Sequence, residues 1–497
     1  MAQARAAQRL RRLPTRWPTY ALLGGSVAAI LVAGLAIPAA IGHPQTAAVA
    51  TIGPPVRPLL PAGRPRDHDP RPPPRFASVG LVTSPAPPRG TTLTASDVGV
   101  TPTTITFGVI LPGLGAVANF GIDVSQLDPK IQRTYWQSAI DRLNAAGGVD
   151  GRRLVAVYTT ASILSQDSMR AACRTLTEDD RVFAVANVLG VTGDPILCVT
   201  RDHDTPYIGV DGEDPSAYEI SQGRLVTLEP SSARTLQIFV GRLSQLGLLR
   251  GRRVGVVRDT TPGGVSGTDV IKALRAAGVR SVIDGPLGNE DPLVVTGEVA
   301  AAEQRMRAAG VDTVILLTNA VYGTVFATQA ASDDYQPTYL MSDLGFATAG
   351  DSFVGNMPVP FFRQALAVAT PEIGRGRAGL PESTLDAGCR LAYQRFIGHE
   401  VDRDGADAVS ALASCAVVQL LTMGLNGAGP NPTRGAFSAA LDNAGAFAVP
   451  GFGRGLLQPG HLDAADEVLV AAGHPDCQCW YAIDGYRPAA SVAAAAP

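Results

Sequence analysis

The sequence predicts an α/β protein with two doubly wound, Rossmann-like lobes, preceded by one transmembrane helix and a Pro-rich linker. After Gly90, short apolar runs alternate with amphipathic stretches, which is the pattern of strands followed by helices. The alternation runs from residue 105 to about residue 228 and restarts at Arg253. Two such series imply two parallel sheets covered by helices, with a cleft at the carboxyl ends of the strands.

The charge distribution separates the N-terminal region from the rest of the chain. Residues 1–90 contain 11 arginines and only two acidic residues, Asp67 and Asp69, although the whole chain has a net charge of −3. Residues 91–497 therefore hold 30 basic and 42 acidic side chains, a net charge of −12. Because an acidic body repels phosphate backbones, this composition excludes nucleic acid as its partner.

The N-terminus predicts export and a membrane anchor. Five arginines within residues 1–20 precede an uncharged apolar stretch, residues 21–42, which is long enough to span a bilayer. Positive charge before the span places residues 1–20 in the cytoplasm and the bulk of the chain outside, in a single-pass protein of the cell membrane. A retained signal anchor is the first interpretation, and cleavage after the triplet at residues 48–50 is the alternative. No cysteine lies directly after the apolar run, which excludes a lipoprotein anchor.

Residues 43–96 are predicted to form a linker. Thirteen prolines lie between His43 and Gly90, and no apolar periodicity accompanies them. Such segments bury no core and adopt extended polyproline II conformations, so the linker reaches on the order of 100 Å. A polyproline ligand for a partner domain is the alternative interpretation.

The body begins with a series of predicted strands, separated by helices. The strand candidates are residues 105–111, 154–158, 183–189, 206–210, 253–257, 281–285, 313–318 and 338–341. Three of the intervening helices end in Ala-Ala-Gly, at Gly147, Gly278 and Gly310, where glycine can take the left-handed conformation that stops a helix. A short apolar run at residues 365–369 and two further helices follow.

Motifs for catalysis and cofactors are not supported by their context. Gly113-Leu-Gly115 follows a strand, but Pro112 intervenes before the glycines and no acidic residue ends the second strand, so it is not a dinucleotide fingerprint. The glycines around Ser266 have the wrong offsets for a nucleophile elbow. We therefore expect no enzyme activity, no catalytic residue and no cofactor.

Several segments together resemble one known family, the type I periplasmic solute-binding proteins of the leucine/isoleucine/valine-binding branch. The segments are GVTPTTITFGVILPGLGAVANFG, LNAAGGVDGRRLVAVYTT, ACRTLTEDDRVFAV, DHDTPYIGV, GVDTVILLTNAVYGTVFATQAA and DAVSALASCAVVQLLTMGLNGAG. The resemblance covers roughly residues 97–485. It implies a two-lobed clamp with a hinge of three crossing strands. The implied first lobe comprises residues 97–228 and 345–427, and the second comprises residues 229–344 and 428–490.

Six cysteines lie beyond the apolar span, on the oxidising side of the membrane. Cys173 and Cys198 lie on helices that flank one strand, so a bridge is sterically reasonable, and members of the resembled family often carry a cystine there. Cys389 and Cys415 lie on two successive helices and form the second predicted pair. The remaining Cys477 and Cys479 form a short-loop disulfide or capped thiols in the favoured interpretation. A soft-metal site with His461 and His474 is the alternative, and no metal is expected.

The resemblance also implies where a ligand binds. The implied candidates are Phe120 as an apolar wall, Thr192 after the third strand, Asp211 and Glu213 after the fourth, and Tyr322 and Asp343 in the second lobe. Asp211 and Glu213 stand where the family carries small and hydroxyl residues, so a ligand carboxylate would be repelled there. Solvated loop acids are the alternative for Asp211, Glu213 and Asp343.

The expected function is capture of a small polar ligand between two lobes without chemistry. The expected partners are the membrane, through the N-terminal helix, and an ABC permease of the branched-chain amino-acid type. The alternative is a ligand-sensing or envelope interaction receptor with no transport role.

Overall fold

The computed structural model describes residues 90–115, 128–260, 266–288, 292–345 and 355–494, together with Pro87, Val117 and Ser125. The predicted tail and anchor, most of the predicted linker, and Phe120 lie outside this part of the chain. The described residues all belong to one unit, Pro65–Pro497.

Strands and helices alternate through both lobes. The strands are β1 (Thr104–Gly113), β2 (Arg153–Ser162), β3 (Val185–Ala186), β4 (Tyr207–Gly209), β5 (Leu225–Thr227), β6 (Arg253–Asp259), β7 (Ser281–Leu287), β8 (Thr313–Leu317), β9 (Thr338–Ser342), β10 (Ala365–Ala369), β11 (Gly445–Val449), β12 (Gly453–Leu457), β13 (Glu467–His474), β14 (Cys479–Ala482) and β15 (Arg487–Pro488). The helices are α1 (Pro129–Ala145), α2 (Gln166–Arg174), α3 (Asp194–Leu197), α4 (Pro215–Ser221), α5 (Ser232–Gln245), α6 (Gly267–Ala276), α7 (Pro292–Ala308), α8 (Ala320–Ser332), α9 (Val359–Phe362), α10 (Thr384–Ile397), α11 (Ala406–Ala428), α12 (Arg434–Asp442) and α13 (Ala489–Ala493).

The first sheet has five parallel strands in the order β2-β1-β3-β4-β5. Alternate residues of β1 enter different cores, as the two-residue period of a strand requires. Phe107 and Val109 pack in the core that contains Trp136 of α1, whereas Ile110 packs in the core that contains Met169 of α2. Helices therefore cover both faces of this sheet, which explains why the strands are almost continuously apolar.

The second sheet follows the order β14-β13-β10-β9-β8-β6-β7, and β15 also pairs with β13. Strands β6 to β10 are parallel to one another. β13 runs antiparallel to β10 and β14. The carboxyl ends of β6, β8, β9 and β10 therefore lie along one edge of this sheet.

The predicted glycine stops occur in the structure. Gly147, Gly278 and Gly310 all have positive φ angles, of 109°, 87° and 64°. A side chain would strain the backbone in this region, which is why glycine ends these helices.

The boundaries between the lobes differ from those predicted. The prediction placed residues 345–427 in the first lobe, but β10 pairs with β9 inside the second sheet. The prediction also placed residues 428–490 in the second lobe, but Phe437 and Leu441 of α12 and Val449 of β11 belong to the core of the first. The chain thus changes lobe later than predicted, because the apolar strand β10, all of whose residues are buried, lies inside the second sheet between β9 and β13.

The linker also ends earlier than predicted. Thr94 donates from its backbone N–H to Asn431 at 2.8 Å, and the Ser96 hydroxyl donates to the Pro432 carbonyl at 2.7 Å. Arg152, whose exposed fraction is 0%, donates to the carbonyl oxygens of Thr94, Thr101 and Pro430. A fully buried guanidinium needs such acceptors, so residues 94–101 are part of the folded body.

Three segments connect the lobes, as the resemblance implied. Two of them run side by side, since Thr227 exchanges backbone hydrogen bonds with Leu462 and Ala464. The Ser231 N–H also donates to the Asp463 carboxylate at 2.6 Å. The third segment follows β10, where Glu372 binds Arg403 at 2.7 Å. We call these three segments, at residues 227–231, 370–372 and 462–466, the hinge.

Helix α11 is long and apolar enough to cross a membrane, but 78% of its most apolar stretch is buried inside the protein. It packs against α1 and α12 in the first lobe, which identifies it as a core helix. Both predicted bridges occur in the structure: Cys173 is joined to Cys198, and Cys389 on α10 is joined to Cys415 on α11.

Candidate functional site

Two carboxylates follow β4 at the carboxyl edge of the first sheet. Asp211 accepts a hydrogen bond from the backbone N–H of Gly190 at 2.7 Å, and Glu213 accepts one from the N–H of Gly193 at 3.1 Å. Gly190 and Gly193 belong to the loop between β3 and α3, and Thr192 lies half-buried between them. The chain's own carboxylates therefore occupy the two amide donors of this loop.

Burial changes the ionisation of both carboxyl groups. Glu213 is 1% exposed, and burial raises its pKa to about 8, although the bond from Gly193 opposes the shift. Asp211 keeps some solvent exposure, and burial raises its pKa to about 6, again against the effect of its amide bond. Near neutral pH the Glu213 carboxyl is thus mainly protonated and Asp211 is mainly ionised.

Glu213 retains unused hydrogen-bonding capacity. Its Oε1 atom is buried and has no partner among the described residues, and the same holds for the Tyr207 hydroxyl on β4. A buried polar atom without a partner costs stability, so a ligand or an ordered water that pairs with it is favoured. Sequence reasoning missed Tyr207, because a tyrosine within an apolar strand is typical of a core residue.

The second sheet carries a similar arrangement at its carboxyl edge. Asp343, after β9, accepts from the backbone N–H of Thr370 at 3.0 Å and from its hydroxyl at 2.7 Å. Burial raises the pKa of Asp343 to about 7. Asp259 ends β6 and accepts from the Thr318 hydroxyl and from the N–H of Asn319, and burial raises its pKa as well. Each carboxylate thus bonds the end of its own strand to the segment that follows a neighbouring strand.

The candidate residues are therefore not equivalent. Asp211 and Glu213 come together at one loop, and Asp343 lies at the corresponding edge of the other sheet. Tyr322 is only 3% exposed and packs in the core of the second lobe on α8, where its backbone N–H donates to the helix-capping Asn319. Asp259 was missed by sequence reasoning; its signal is an acidic residue at the last position of a buried strand.

An apolar cluster joins the two lobes beside these edges. Leu114 and Val117, after β1, belong to the same buried cluster as Val257, Leu287 and Tyr322 of the second lobe. Ile163, Leu164 and Leu189 from the other first-lobe loops pack against this cluster. The described part of the cleft therefore combines apolar contact between lobes with acceptor-rich strand ends.

A separate groove of about 1040 Å³ lies between α4, α12 and the hinge. Tyr218, Asp442 and Asp463 are among the residues that line it. It does not lie at the carboxyl edge of either sheet, so it is not the site that the fold favours for a ligand.

Comparison with known families gives one clear match. The family model for periplasmic binding proteins matches residues 104–472, which is most of the chain. A comparison with curated protein sequences finds no match.

Solved structures with the same fold include three with different named ligands or roles. The solute-binding protein of an ABC transporter from Rhodopseudomonas palustris BisB5, in complex with 3,4-dihydroxybenzoic acid, is 17% identical, with a TM-score of 0.58 over 78% of this chain and 98% of that chain. A fatty acid ABC transporter substrate-binding protein from Thermomonospora curvata is 14% identical, with a TM-score of 0.60 over 83% of this chain and 99% of that chain. The branched-chain amino acid transporter substrate-binding protein from Streptococcus pneumoniae, in complex with isoleucine, is 16% identical, with a TM-score of 0.58 over 78% of this chain and 99% of that chain.

The resemblance inferred from the sequence is confirmed by the family match. Proteins of this family bind ligands without transforming them, in agreement with the expectation that the chain is not an enzyme. The two mainly parallel sheets and the discontinuous lobes are the architecture that the match implies. The chain belongs to the periplasmic binding protein family.

Proposed function

We propose that the chain is a membrane-tethered, extracytoplasmic solute-binding protein that delivers a small polar ligand to an ABC importer of the branched-chain amino-acid type. The family match supports ligand capture, and the named roles of the similar structures support an ABC importer. The arginine-rich N-terminus and the apolar stretch at residues 21–42 support the tether.

We propose further that the ligand offers hydrogen-bond donors or positive charge rather than a free carboxylate. The observation that carries this proposal is the pairing of Asp211 with Gly190 and of Glu213 with Gly193. The ligands named for the three similar structures all carry a carboxyl group, which needs donors. Here the chain's own carboxyl groups already accept from two such backbone amides, and an incoming carboxylate would meet the like charge of Asp211.

Calorimetry of the purified protein tests this preference. The panel comprises leucine, basic amines, polyols and small carboxylates, against the unmodified chain, Asp211→Asn and Glu213→Gln. We expect an amine or polyol to bind, and Asp211→Asn to weaken its binding at least tenfold. Glu213→Gln, which resembles the protonated carboxyl, should weaken binding only above about pH 8, where Glu213 ionises. Glu219→Gln is the matched control, because Glu219 is exposed on α4. Tight leucine binding that neither substitution changes would refute the proposed charge preference, although solute binding itself would stand.

The tether has its own test. Membranes from cells that make the full chain are washed with alkaline carbonate, which removes peripheral proteins. The protein should stay in the membrane fraction, and a chain that lacks residues 1–42 should not. Release of the full chain, with a new N-terminus near residue 51, would indicate cleavage of the signal instead.

A receptor with no transport role is the second candidate, and the apolar cluster between the lobes favours it. Leu114 and Val117 are 4% and 0% exposed, so side chains of this chain fill part of the cleft. Small-angle scattering separates the two functions. A solute-binding clamp contracts when its ligand is added, whereas a receptor whose cleft is filled by its own side chains keeps one radius of gyration throughout the panel.

A further inference from the structure

The third disulfide differs from the other two in its position. Cys477 and Cys479 are joined, with only Gln478 between them and a Cα–Cα distance of 5.2 Å. They lie at the turn between β13 and β14, and β14 is an edge strand of the second sheet. Cys477 is exposed and Cys479 is buried, whereas Cys198 is half-buried and Cys173, Cys389 and Cys415 are all 3% exposed or less.

The short loop gives this bridge little of the usual stabilisation. A disulfide stabilises a fold mainly by restricting the unfolded chain, and the effect grows with the number of residues enclosed. The separation between its cysteines is 2 residues, against 25 and 26 in the other bridges. Its contribution in that model is roughly half that of either larger loop.

The backbone inside the loop is a second reason to expect that this bridge opens readily. Gln478 has a left-handed φ angle of 47°, which is uncommon for a residue with a side chain. Its side-chain amide donates to the Met357 carbonyl at 2.9 Å, which holds the turn in place. Opening the bridge would let the Gln478 backbone leave this left-handed conformation. Exposed and strained bridges are generally the ones that exchange with thiols.

A histidine lies opposite the buried cysteine in the hairpin. His474 is paired with Cys479 across the hairpin, and the Cys477 sulfur lies 3.8 Å from the His474 carbonyl oxygen. The Nδ1 atom of His474 is buried and has no partner among the described residues.

We propose that Cys477–Cys479 is a thiol–disulfide exchange site that accepts two electrons from an extracytoplasmic dithiol. A thiolate of the dithiol attacks the exposed Cys477 sulfur, the bond between Cys477 and Cys479 breaks, and Cys479 leaves as a thiolate that takes up a proton. The second thiol of the partner, once deprotonated, attacks the partner's first sulfur in the mixed disulfide and releases Cys477 as a thiolate, which takes up a proton. The partner is thereby oxidised to a disulfide, and Cys477 and Cys479 are reduced to two thiols.

Graded reduction of the full chain in detergent tests the lability of the bridge. The protein is equilibrated with increasing dithiothreitol, free thiols are alkylated, and each pair is mapped by mass spectrometry. We expect Cys477 and Cys479 to open at a concentration at least tenfold below that which opens the other two pairs, with an unchanged circular dichroism spectrum. Opening together with the buried pairs, or after them, would overturn the proposal.

The direction of attack needs single-cysteine variants. Cys479→Ser leaves the exposed Cys477, and Cys477→Ser leaves the buried Cys479. With oxidised glutathione as the probe, the Cys477 thiol should form the mixed disulfide at least tenfold faster, and equal rates would overturn the assigned order. If either variant unfolds, the same comparison is made on the selectively reduced unmodified chain by mapping which cysteine is modified first. A bridge that reduces readily but does not oxidise an added dithiol peptide in a one-to-one ratio would also refute the exchange role.

Discussion

Arg234 on α5 binds Asp463 across the hinge, with its guanidinium 3.2 Å from the carboxylate and 3.0 Å from the backbone carbonyl of the same residue. The same guanidinium contacts Asp466 at 3.1 Å. One side chain therefore connects the first segment that joins the lobes to the last, and it neutralises two carboxylates on side chains that are 9% and 12% exposed.

Removing this guanidinium should destabilise the protein strongly. Arg234→Ala leaves Asp463 and Asp466 buried without their principal counter-charge, and such losses typically cost about 3–5 kcal/mol. The measurement is the free energy of unfolding in urea. Arg252→Ala is the matched control, because the Arg252–Asp312 pair is exposed and 3.8 Å apart, and it should cost less than about 1 kcal/mol. Similar losses in both variants would show that the hinge contact is not special.

Stability should fall as the pH rises through the range in which Glu213 ionises. The pKa of Glu213 is about 8 in the fold, against about 4.3 for an unfolded glutamate, so the folded state holds a proton that the unfolded state has lost. This contribution is fully present below about pH 4 and is lost by about pH 8. In the unmodified protein, Glu213 should lower the unfolding free energy by about 1.4 kcal/mol per pH unit in this window. In Glu213→Gln this decrease should be absent. Parallel curves for both proteins would show that Glu213 does not titrate there; Glu219→Gln should leave the slope unchanged.

The start of the folded body can be located with two truncated chains. A chain that begins at Thr91 keeps Thr94 and should unfold at the same urea concentration as a chain that also contains the linker. A chain that begins at Asp97 removes one carbonyl acceptor from Arg152 and both Thr94 contacts with Asn431, which should cost about 1–3 kcal/mol. Equal stability of the two truncated chains would return the boundary to residue 96, as first predicted.

The three disulfides should contribute unequally to stability. Replacing Cys173 and Cys198 with alanine opens a loop of separation 25 and should cost about 3 kcal/mol. The same replacement at Cys477 and Cys479 should cost less than about 2 kcal/mol, because their separation is 2. Urea titration of both double variants measures the difference. Recovery of Cys173 or Cys198 as free thiols from the unmodified protein would contradict the pairing itself.

Local patterns in the sequence predicted the elements well. The eight predicted strands overlap β1 to β4 and β6 to β9, since apolar runs bounded by turns are set by neighbouring residues. The strands β5 and β11 to β15 were missed. β5 is only three residues long, and β13 follows a hairpin whose lobe the sequence does not reveal. The lobe that receives residues 365–369 depends on which strands flank them in space, so a five-residue apolar run fits either sheet equally well.

The candidate site was predicted less completely than the fold. Asp211, Glu213 and Asp343 were identified by their positions after strands, but the amides that they accept from belong to residues about 20 or more positions away. Tyr322 also follows a strand in the sequence, but the helix that begins at Ala320 places it in the buried cluster that joins the two lobes. The side on which a helical side chain lies depends on where the helix begins, here after the N-cap Asn319, and not on the number of residues since the strand.

The anchorage of residues 94–101 on Arg152 determines how the body would respond to a pull from its N-terminus. Arg152 lies just before β2 and Thr101 just before β1, so both stand at the amino ends of first-sheet strands, remote from the cleft. Tension arriving at Thr94 passes into Arg152, Pro430 and the first sheet without crossing the hinge. A pull on the N-terminus would therefore act on the first lobe, and the second lobe would remain free to move about the hinge.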